Sequence, residues 1–451
     1  MKEKSLKEEI KDVVKEKPSK EERLKEKEAA KKAKHIKKEK RVFFPKRNLY
    51  KAMLIIMGIV AVAFLLTMIV ADTLPSDLTI VVAFVMLGLL ILSDMLFVRD
   101  NKKLRVSGII VTLLFAIIFG AATYYLGTSY AMMNRISTNS VTGTGSNYVS
   151  GIDVTKDPFN VYITGIDQWE QEKGEDLERS DVNMLVTVNP VTKKVLLTSI
   201  PRDTYVKLHT AQQMDKLTHT GIYGVDETLN TVEDWLGIDI KYYIKMNFSG
   251  ARDVINAIGG IEFYNPTEFK SSLRGYTYKK GNISLNGKRA VYYARERKAF
   301  EGKDSLRVEN QQRVMKAILD KMLSSSTILL HYGDVIDATS RNLETNMSTK
   351  DIQSLVKMQI SDLSEWDIQS QKIEGEADMD YVASLTQSSK FDIYRPDEQS
   401  VKKCIGAINA VHNPTEAELE EASKNQNKSF FVNMMRHFKN KEEEEYEPII
   451  P

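Results

Sequence analysis

The chain has 451 residues, of which 27% are charged, and it is too long for one small domain. Its formal net charge of +2 is unevenly spread, because the residues before Tyr50 include 19 basic and 10 acidic side chains. Removing this tail (+9) and Lys51 (+1) leaves about −8 for the remainder, which argues against a general polyanion-binding protein.

Residues 1–50 predict a basic cytoplasmic tail. The segment is rich in Lys and Glu and contains no aromatic residue before Phe43, which is typical of a disordered or transiently helical stretch. It shows neither zinc-ligand spacing nor a helix-turn-helix pattern, so no nucleic acid partner is expected. A basic patch beside a membrane helix favours anionic lipid headgroups instead.

Three apolar runs within residues 51–127 predict three transmembrane helices, at Ala52–Ala71, Leu78–Val98 and Val106–Leu126. Each run has the length needed to cross a hydrocarbon layer of roughly 30 Å. Basic residues precede the first run and separate the second from the third, whereas the first loop carries only Asp72 and Asp77. We therefore expect a multi-pass cell membrane protein whose chain after Leu126 is extracellular.

The rest of the chain divides into a tether, a folded domain and a second polar tail. Residues 128–156 are rich in Ser, Thr, Asn and Gly, as an extracellular tether would be. Strands and amphipathic helices alternate over residues 157–412, which predicts a layered α/β domain, and residues 413–451 are a polar C-terminal tail. Helix is expected from Met322 through Ile360, and a last helix at Glu398–Val411 closes the domain. The lone cysteine, Cys404, excludes an intramolecular disulfide.

One candidate site lies around a predicted hairpin. Asp167 follows a first strand, Arg179 and Asp181 stand where the hairpin begins, and Arg202 and Asp203 stand where it ends. The two ends of an antiparallel pair are neighbours in space, so these charges should meet. Asp167 and Asp181 could then offer two carboxylates to Mg²⁺. Alternatively, the charges form ion pairs that only brace the hairpin.

A second candidate site lies further along the chain. A short helix beginning at Asn286 is followed by Arg295 and Arg297, whose side chains point the same way if that stretch is extended. Arg307 and Gln311 are four residues apart and share one face of a later helix. Clustered guanidiniums fit a pyrophosphate, with its several anionic oxygens. The alternative is a solvated, salt-bridged face made with Glu296, Glu301 and Glu309.

His219 and Asp203 each have two interpretations. His219 could be a base or a ligand, or a hydrogen-bonded residue beside a helix. Asp203 is a candidate general base by its position, or a fixed salt-bridge partner of Arg202.

Several segments together resemble the LytR-CpsA-Psr family, whose members are membrane-anchored transferases that attach glycopolymers to peptidoglycan in Gram-positive bacteria. The segments are RSDVNMLVTVNP (179–190), SIPRDTYV (199–206), KLTHTGIYG (216–224), INAIGGI (255–261) and LNGKRAVYYARERK (285–298), with Arg307 and Gln311. The sequence departs from the usual family pattern at Val182, Thr218, Asn256, Leu306 and Asn310. Streptococcal capsule-type members similarly carry a basic tail and three membrane helices, and the tether here leaves no room for the accessory domain that some of them insert.

The resemblance implies a layered α-β-α domain with a mixed central sheet and a hydrophobic tunnel for a polyprenyl (undecaprenyl) pyrophosphate. It implies Mg²⁺, or Mn²⁺ in its place, held by Asp167 and Asp181. The residues implied around the pyrophosphate are Arg179, Arg202, Arg295, Arg297, Arg307 and Gln311. Of these, Arg202, Arg295 and Arg297, with Asp203, are the candidates for catalysis.

The expected activity is a phosphotransferase that moves a glycopolymer from its polyprenyl pyrophosphate carrier to peptidoglycan. Its partners would be the lipid-linked glycan, the peptidoglycan acceptor, the membrane and the machinery of capsule or wall synthesis. Two alternatives remain open from the sequence: a hydrolase that uses water as the acceptor, and a non-enzymatic membrane regulator of capsule or wall synthesis.

Overall fold

The structure, a computed structural model, shows three membrane helices followed by a globular α/β domain. The residues that it describes are 27, 47–72, 74–99, 101–140, 151–166, 180–299, 304–324, 331, 333–339, 343–362, 364–385 and 389–426.

The three predicted transmembrane helices are confirmed as α1 Arg47–Ala71, α2 Ser76–Val98 and α3 Lys102–Ser140. Each contains a span long and apolar enough to cross a membrane. Met57 and Phe64 of α1 pack with Phe115 of α3, which joins the helices into one bundle.

The third helix continues beyond the membrane span, so residues 128–140 are helical where the sequence predicted a tether. This stretch contains neither Gly nor Pro, and it extends a helix that is already formed. Propagating a helix adds a hydrogen bond for each residue and avoids the cost of a new nucleus.

A six-stranded mixed sheet forms the centre of the globular domain, in the order β11-β6-β1-β2-β3-β12. Its strands are β1 Phe159–Ile166, β2 Ser180–Asn189, β3 Lys194–Ile200, β6 Tyr242–Asn247, β11 Leu343–Thr345 and β12 Asp367–Lys372. β1 is antiparallel to β2 and parallel to β6, while β3 is parallel to β12. Smaller two-stranded sheets are formed by β4 Tyr205–Lys207, β5 Met214–Lys216, β7 Ile261–Asn265, β8 Phe269–Lys270, β9 Thr277–Tyr278, β10 Gly281–Leu285, β13 Gly375–Asp380 and β14 Phe391–Pro396.

Helices cover both faces of the central sheet, which confirms the predicted α-β-α layers. In chain order they are α4 Leu217–Thr220, α5 Val225–Leu236, α6 Phe248–Ala257, α7 Gly287–Arg295, α8 Asp304–Leu323, α9 Thr349–Asp362, α10 Glu398–His412 and α11 Glu416–Gln426. Alternation along the strands sends Tyr162 and Leu185 toward α5 and α10. Their neighbours Ile163 and Met184 pack on the opposite face, against α8 and α9.

Two elements differ from the sequence prediction. Strand β11 interrupts the helix expected from Met322 to Ile360, because it pairs with β6 and becomes the edge strand of the central sheet. The Thr345 hydroxyl donates a hydrogen bond to the Tyr243 carbonyl, a long-range contact that no local sequence pattern predicts. The second difference is α11, which is helical within the predicted C-terminal tail and carries Glu418 to an ion pair with Lys194. The closing helix, α10, agrees with expectation, and Cys404 within it is buried.

Candidate active site

The candidate site residues converge on one edge of the central sheet. The carboxyl ends of β1 and β6 lie side by side, with Ile166 opposite Asn247, and Ser180 at the start of β2 also faces Ile166. β3 ends beside β2, with Ile200 opposite Asn183. Neighbouring strands are about 4.8 Å apart, so the ends of β6 and β3 are separated by roughly 14 Å. Crevices at the carboxyl ends of strands are where α/β sheets bind ligands.

A chain of ion pairs joins the two ends of the β2–β3 hairpin. The Arg202 guanidinium pairs with Asp181 and lies 3.2 Å from the Asp203 carboxylate. Asp203 is also 3.5 Å from Lys216 Nζ. Burial opposes the positive charge of Arg202, but Asp203 and Asp181 outweigh it and raise the pKa of the guanidinium. Of the charges predicted to meet, Asp181, Arg202 and Asp203 do lie together, and Asp203 has the contacts of a fixed salt-bridge partner.

Lys216 belongs to the same group of charges, although the pattern of charged residues in the sequence did not predict it. Backbone bonds hold its strand beside the Arg202 loop: the Thr218 N–H donates to the Arg202 carbonyl at 2.8 Å, and that of Leu217 to Thr204 at 2.9 Å. The sequence signal for Lys216 was its place in the KLTHTGIYG segment. Its partner, Asp203, lies thirteen residues earlier in the sequence, so no local pattern connects the two.

Arg295 reaches the same sheet edge from the other side. It is the last residue of α7 rather than part of an extended stretch, and Glu296 follows as the extended capping residue. The Arg295 guanidinium carbon lies 4.5 Å from the centre of the Phe248 ring, within the range of a cation–π contact. Phe248 directly follows Asn247 at the end of β6, so this contact places Arg295 at the end of that strand.

Glu296 lies between Arg295 and Arg297 and is completely buried. Its carboxylate accepts hydrogen bonds from the Ser271 hydroxyl at 2.7 Å and from both the backbone and the hydroxyl of Ser272. The backbone N–H groups of Arg297, Lys298 and Ala299 donate to it as well. Burial would raise the pKa of this carboxyl, but these hydrogen bonds outweigh burial and lower it. The interpretation of Glu296 as a solvated salt-bridge partner is wrong. Its buried carboxylate instead holds residues 296–299 in place, the loop that follows Arg295 and contains Arg297, which we call the arginine loop.

Helix α8 brings Arg307 and Gln311 toward the same edge. Gln312 donates to the Gln371 carbonyl of β12, and one turn later Lys316 donates to Ile368, so α8 runs antiparallel to that strand. The amino end of α8 therefore points to the edge where β12 and β3 end. Arg307 is buried at 3% exposure and Gln311 is half-buried. Glu309 on this helix pairs with Arg313 at 3.0 Å.

Three expected features lie beyond what the structure describes. Asp167, Arg179 and Glu301 are outside the described residues. Within the described ranges, no group of three or more His, Cys, Asp or Glu side chains could hold a metal ion. The metal site and the full pyrophosphate shell stay predictions.

His219 has the contacts of a structural residue. Its Nδ1 lies 2.7 Å from Asp215 Oδ1 and 2.8 Å from the Ser384 hydroxyl, and the side chain is 5% exposed. The Ser384 N–H donates to the other oxygen of Asp215 at 2.7 Å. This buried cluster fixes β5 against the segment that follows β13, which favours the hydrogen-bonded interpretation.

A cavity of about 590 Å³ opens between α6 and a segment that includes residues 331 and 334–338. Its lining includes Asp253, Asp334, Asp337 and His331. A lining with three carboxylates does not suit an apolar isoprenoid chain. The lipid tunnel implied by the resemblance is therefore not assigned to this cavity.

Comparison with known proteins decides the family. The LytR_cpsA_psr family model matches residues 123–406. The chain belongs to the LytR-CpsA-Psr family. The matched range begins in α3, covers the whole central sheet and ends in α10, so it contains every candidate site residue.

Relatives within the LytR-CpsA-Psr family include two proteins named polyisoprenyl-teichoic acid–peptidoglycan teichoic acid transferase TagU. That of Bacillus mycoides is 37% identical over 205 residues, which is 45% of this chain and 65% of the relative. That of Bacillus subtilis is 37% identical over 216 residues, 48% of this chain and 64% of the relative. The chain thus spans slightly less than two thirds of the length of either. Among solved structures, Bacillus subtilis TagV is 30% identical with a TM-score of 0.48, over 58% of this chain and 99% of that one.

Proposed function

We propose that this protein is a membrane-anchored phosphotransferase that moves a glycopolymer from a polyprenyl pyrophosphate carrier to peptidoglycan. The proposal rests on one observation: three arginines from separate elements lie at the same edge of the central sheet. Arg202 follows β3, Arg295 ends α7 beside β6, and Arg307 is buried in the first turns of α8. The names of the TagU relatives, which state a polyisoprenyl donor and a peptidoglycan acceptor, support the same reaction.

The chemistry suits this set of residues. A hydroxyl of the acceptor sugar would attack the phosphorus that carries the glycan, forming a phosphodiester. The bond from that phosphorus to the bridging oxygen breaks, and polyprenyl phosphate leaves while the hydroxyl loses its proton. Negative charge grows on the transferring and leaving oxygens, and guanidiniums fixed in advance stabilise it without reorganising.

Asp181 is the described residue that fits a divalent cation. It offers hard carboxylate oxygens at the sheet edge, and its side chain is 13% exposed. Mg²⁺ usually takes one or two carboxylates and completes its shell with substrate phosphates and waters, so a large protein cluster is not required. With Asp167 it would hold Mg²⁺, or Mn²⁺, which would neutralise the pyrophosphate oxygens. Arg202, paired with Asp181, would keep that carboxylate oriented.

The proposed location of the reaction is the outer face of the cell membrane. Basic residues flank the side of the membrane helices that carries the tail, and the globular domain follows the opposite end of α3. Lipid-linked donor and peptidoglycan acceptor would both be accessible there.

The test is transfer by the full chain in lipid nanodiscs, with lipid-linked glycan, Mg²⁺ and peptidoglycan. We expect glycan joined to peptidoglycan through a phosphodiester, and a loss of roughly 100-fold or more in rate for Arg295→Ala, as for the removal of one preorganised donor. Glu262→Gln, an exposed β7 residue, is the control. Released phosphorylated glycan without linkage would instead indicate the hydrolase. Wild-type rates in Arg295→Ala would contradict the proposed site.

A further inference from the structure

A strongly basic surface lies beside the candidate site. Residues 270–298 contain nine Lys or Arg residues and one acid, the buried Glu296, although the chain beyond the membrane helices is acidic overall. Six of the nine are exposed: Lys270, Arg274, Lys279, Lys280, Lys288 and Lys298. Lys279 pairs with Glu268 at 2.9 Å. The others give this part of the domain a local positive charge.

Stacked arginines and tyrosines make part of this surface continuous. The Arg274 guanidinium lies 5.8 Å from the centre of the Tyr292 ring, and its Nε donates to the Tyr292 hydroxyl at 3.1 Å. The Tyr292 and Tyr276 rings are 5.8 Å apart. Arg289 lies over Tyr276 at 5.7 Å. We call Arg274, Tyr276, Arg289 and Tyr292 the arginine–tyrosine ladder.

The ladder is tied to the arginine loop, which follows Arg295 and contains Arg297. The Ser272 hydroxyl and the Arg297 N–H lie 2.9 Å and 3.1 Å from the same oxygen, Oε1 of Glu296. Arg274 is two residues beyond Ser272, so the hairpin that presents it is fixed against the arginine loop. The ladder and the arginine loop are therefore neighbours in the domain.

We infer that the ladder binds the glycopolymer itself, through phosphate groups along the polymer chain. The inference rests on the proposed function, in which the polymer is covalently attached to the pyrophosphate held by Arg295 and Arg297. Guanidiniums bind phosphate oxygens through paired donors, and stacking on a ring limits the conformational freedom that binding would otherwise cost. A neutral polymer would gain nothing from this charge.

The ladder is not the surface that holds the domain to its membrane helices. Other elements make those contacts: Gln353 of α9 donates to the Ala71 carbonyl at 2.8 Å, and Lys357 lies 2.5 Å from Asp72. The Gly333 N–H donates to the Tyr125 hydroxyl of α3 at 2.7 Å. The observations therefore favour a polymer over anionic lipid headgroups as the occupant.

The first experiment measures binding to the full chain in nanodiscs of zwitterionic lipid. The probes are a polyol-phosphate oligomer, a neutral glucan of equal length, and vesicles of phosphatidylglycerol. We expect Arg274→Gln to weaken oligomer binding severalfold and to lower the slope of log K against log salt by up to about one. Arg274→Lys, which keeps the charge, should retain most of that slope.

Arg395→Gln is the matched control. Arg395 also lies over a tyrosine ring, 5.3 Å from Tyr205, but Asp378 and Asp380 already balance its charge. We expect its oligomer binding to equal that of the wild type. Wild-type oligomer binding in Arg274→Gln would overturn the inference, and so would an equal loss for the neutral glucan or a loss confined to the vesicles.

A transfer assay separates this inference from the proposed function. With a full-length anionic donor, Arg274→Gln should raise KM more than it does with a donor carrying only the first sugars. For each donor, the ratio of the KM of Arg274→Gln to that of the wild type is compared. If the wild type transfers both donors and this ratio is the same for both, the inference about the ladder is wrong while the proposed function stands. If the wild type transfers neither donor, the proposed function fails, whatever the binding results.

Discussion

Ser272 binds Glu296 twice, with its N–H donating to Oε2 at 2.8 Å and its hydroxyl to Oε1 at 2.9 Å. This bond pair joins the β8–β9 hairpin to the loop between Arg295 and Arg297. Because the Glu296 carboxylate also accepts hydrogen bonds from the N–H groups of Arg297, Lys298 and Ala299, it fixes the loop that follows Arg295 and contains Arg297. A buried acid that binds no substrate thus becomes a positioning residue of the candidate site.

Glu296→Gln should destabilise the protein and impair transfer. An amide offers one oxygen and a donating nitrogen to a ring of donors, so several hydrogen bonds are lost. We expect a loss of about 3 kcal/mol of unfolding free energy, since hydrogen bonds to charged groups contribute about 1.5–3 kcal/mol each. Thermal unfolding of the full chain in detergent measures it. Glu262→Gln, on the exposed side of β7, should melt like the wild type.

The same carboxylate makes stability dependent on pH. Its pKa is lowered in the folded state, so its stabilisation is present above the unfolded value, near 4.5, and is lost as pH falls through the lower folded pKa. The difference in melting temperature between wild type and Glu296→Gln should therefore be constant from neutral pH to about 5 and shrink below the ordinary pKa of a glutamate. A difference that grows on acidification would contradict this assignment.

Asp203→Asn tests whether Asp203 is a base or a salt-bridge partner. Its oxygens lie beside Arg202 at 3.2 Å and Lys216 at 3.5 Å, an arrangement that holds two cations. A general base contributes roughly 10²–10⁴-fold to the rate, whereas we expect a loss of about tenfold or less. The pH dependence of kcat decides: the acid limb should persist in the variant. A larger loss together with a vanished acid limb would identify Asp203 as the base.

The hairpin and its charges could be predicted from the sequence because their pattern is local. Apolar residues alternate along β2, an apolar run follows the Asn189–Pro190 turn in β3, and antiparallel pairing of the two strands brought Asp181 close to Arg202. Glu296 could not be understood in this way, because Ser271 and Ser272 lie 25 and 24 residues away. A buried acid and a solvated one look alike in a charged loop until the hairpin folds over it.

The same limit explains the misassigned elements. Strand β11 has only three residues, too few for any periodicity, and it forms because β6 offers an unpaired edge. The helical extension of α3 is the opposite case, where Ser, Thr and Asn suggested a tether but an existing helix continued through them.

The last prediction concerns the contact between the domain and its membrane helices. A methyl group on Gly333 would lie 2.5 Å from Tyr125 Cζ and 2.7 Å from the Ser129 hydroxyl, so Tyr125 must move and lose its bond to the residue 333 N–H. We expect Gly333→Ala to cost about 1–3 kcal/mol, the usual range for overpacking. Hydrogen exchange should become faster in peptides covering residues 333–339 and the outer end of α3.

Gly406→Ala is the matched substitution, because nothing lies within 4 Å of the added methyl group in α10. There the alanine should stabilise the protein by about 0.5–1 kcal/mol, since a helix interior favours Ala over Gly. Exchange near residue 333 should stay unchanged in this variant. If Gly333→Ala likewise leaves both regions protected, the domain is not held against α3 through Tyr125, and the contacts of Gln353 and Lys357 of α9 with the end of α1 gain in importance.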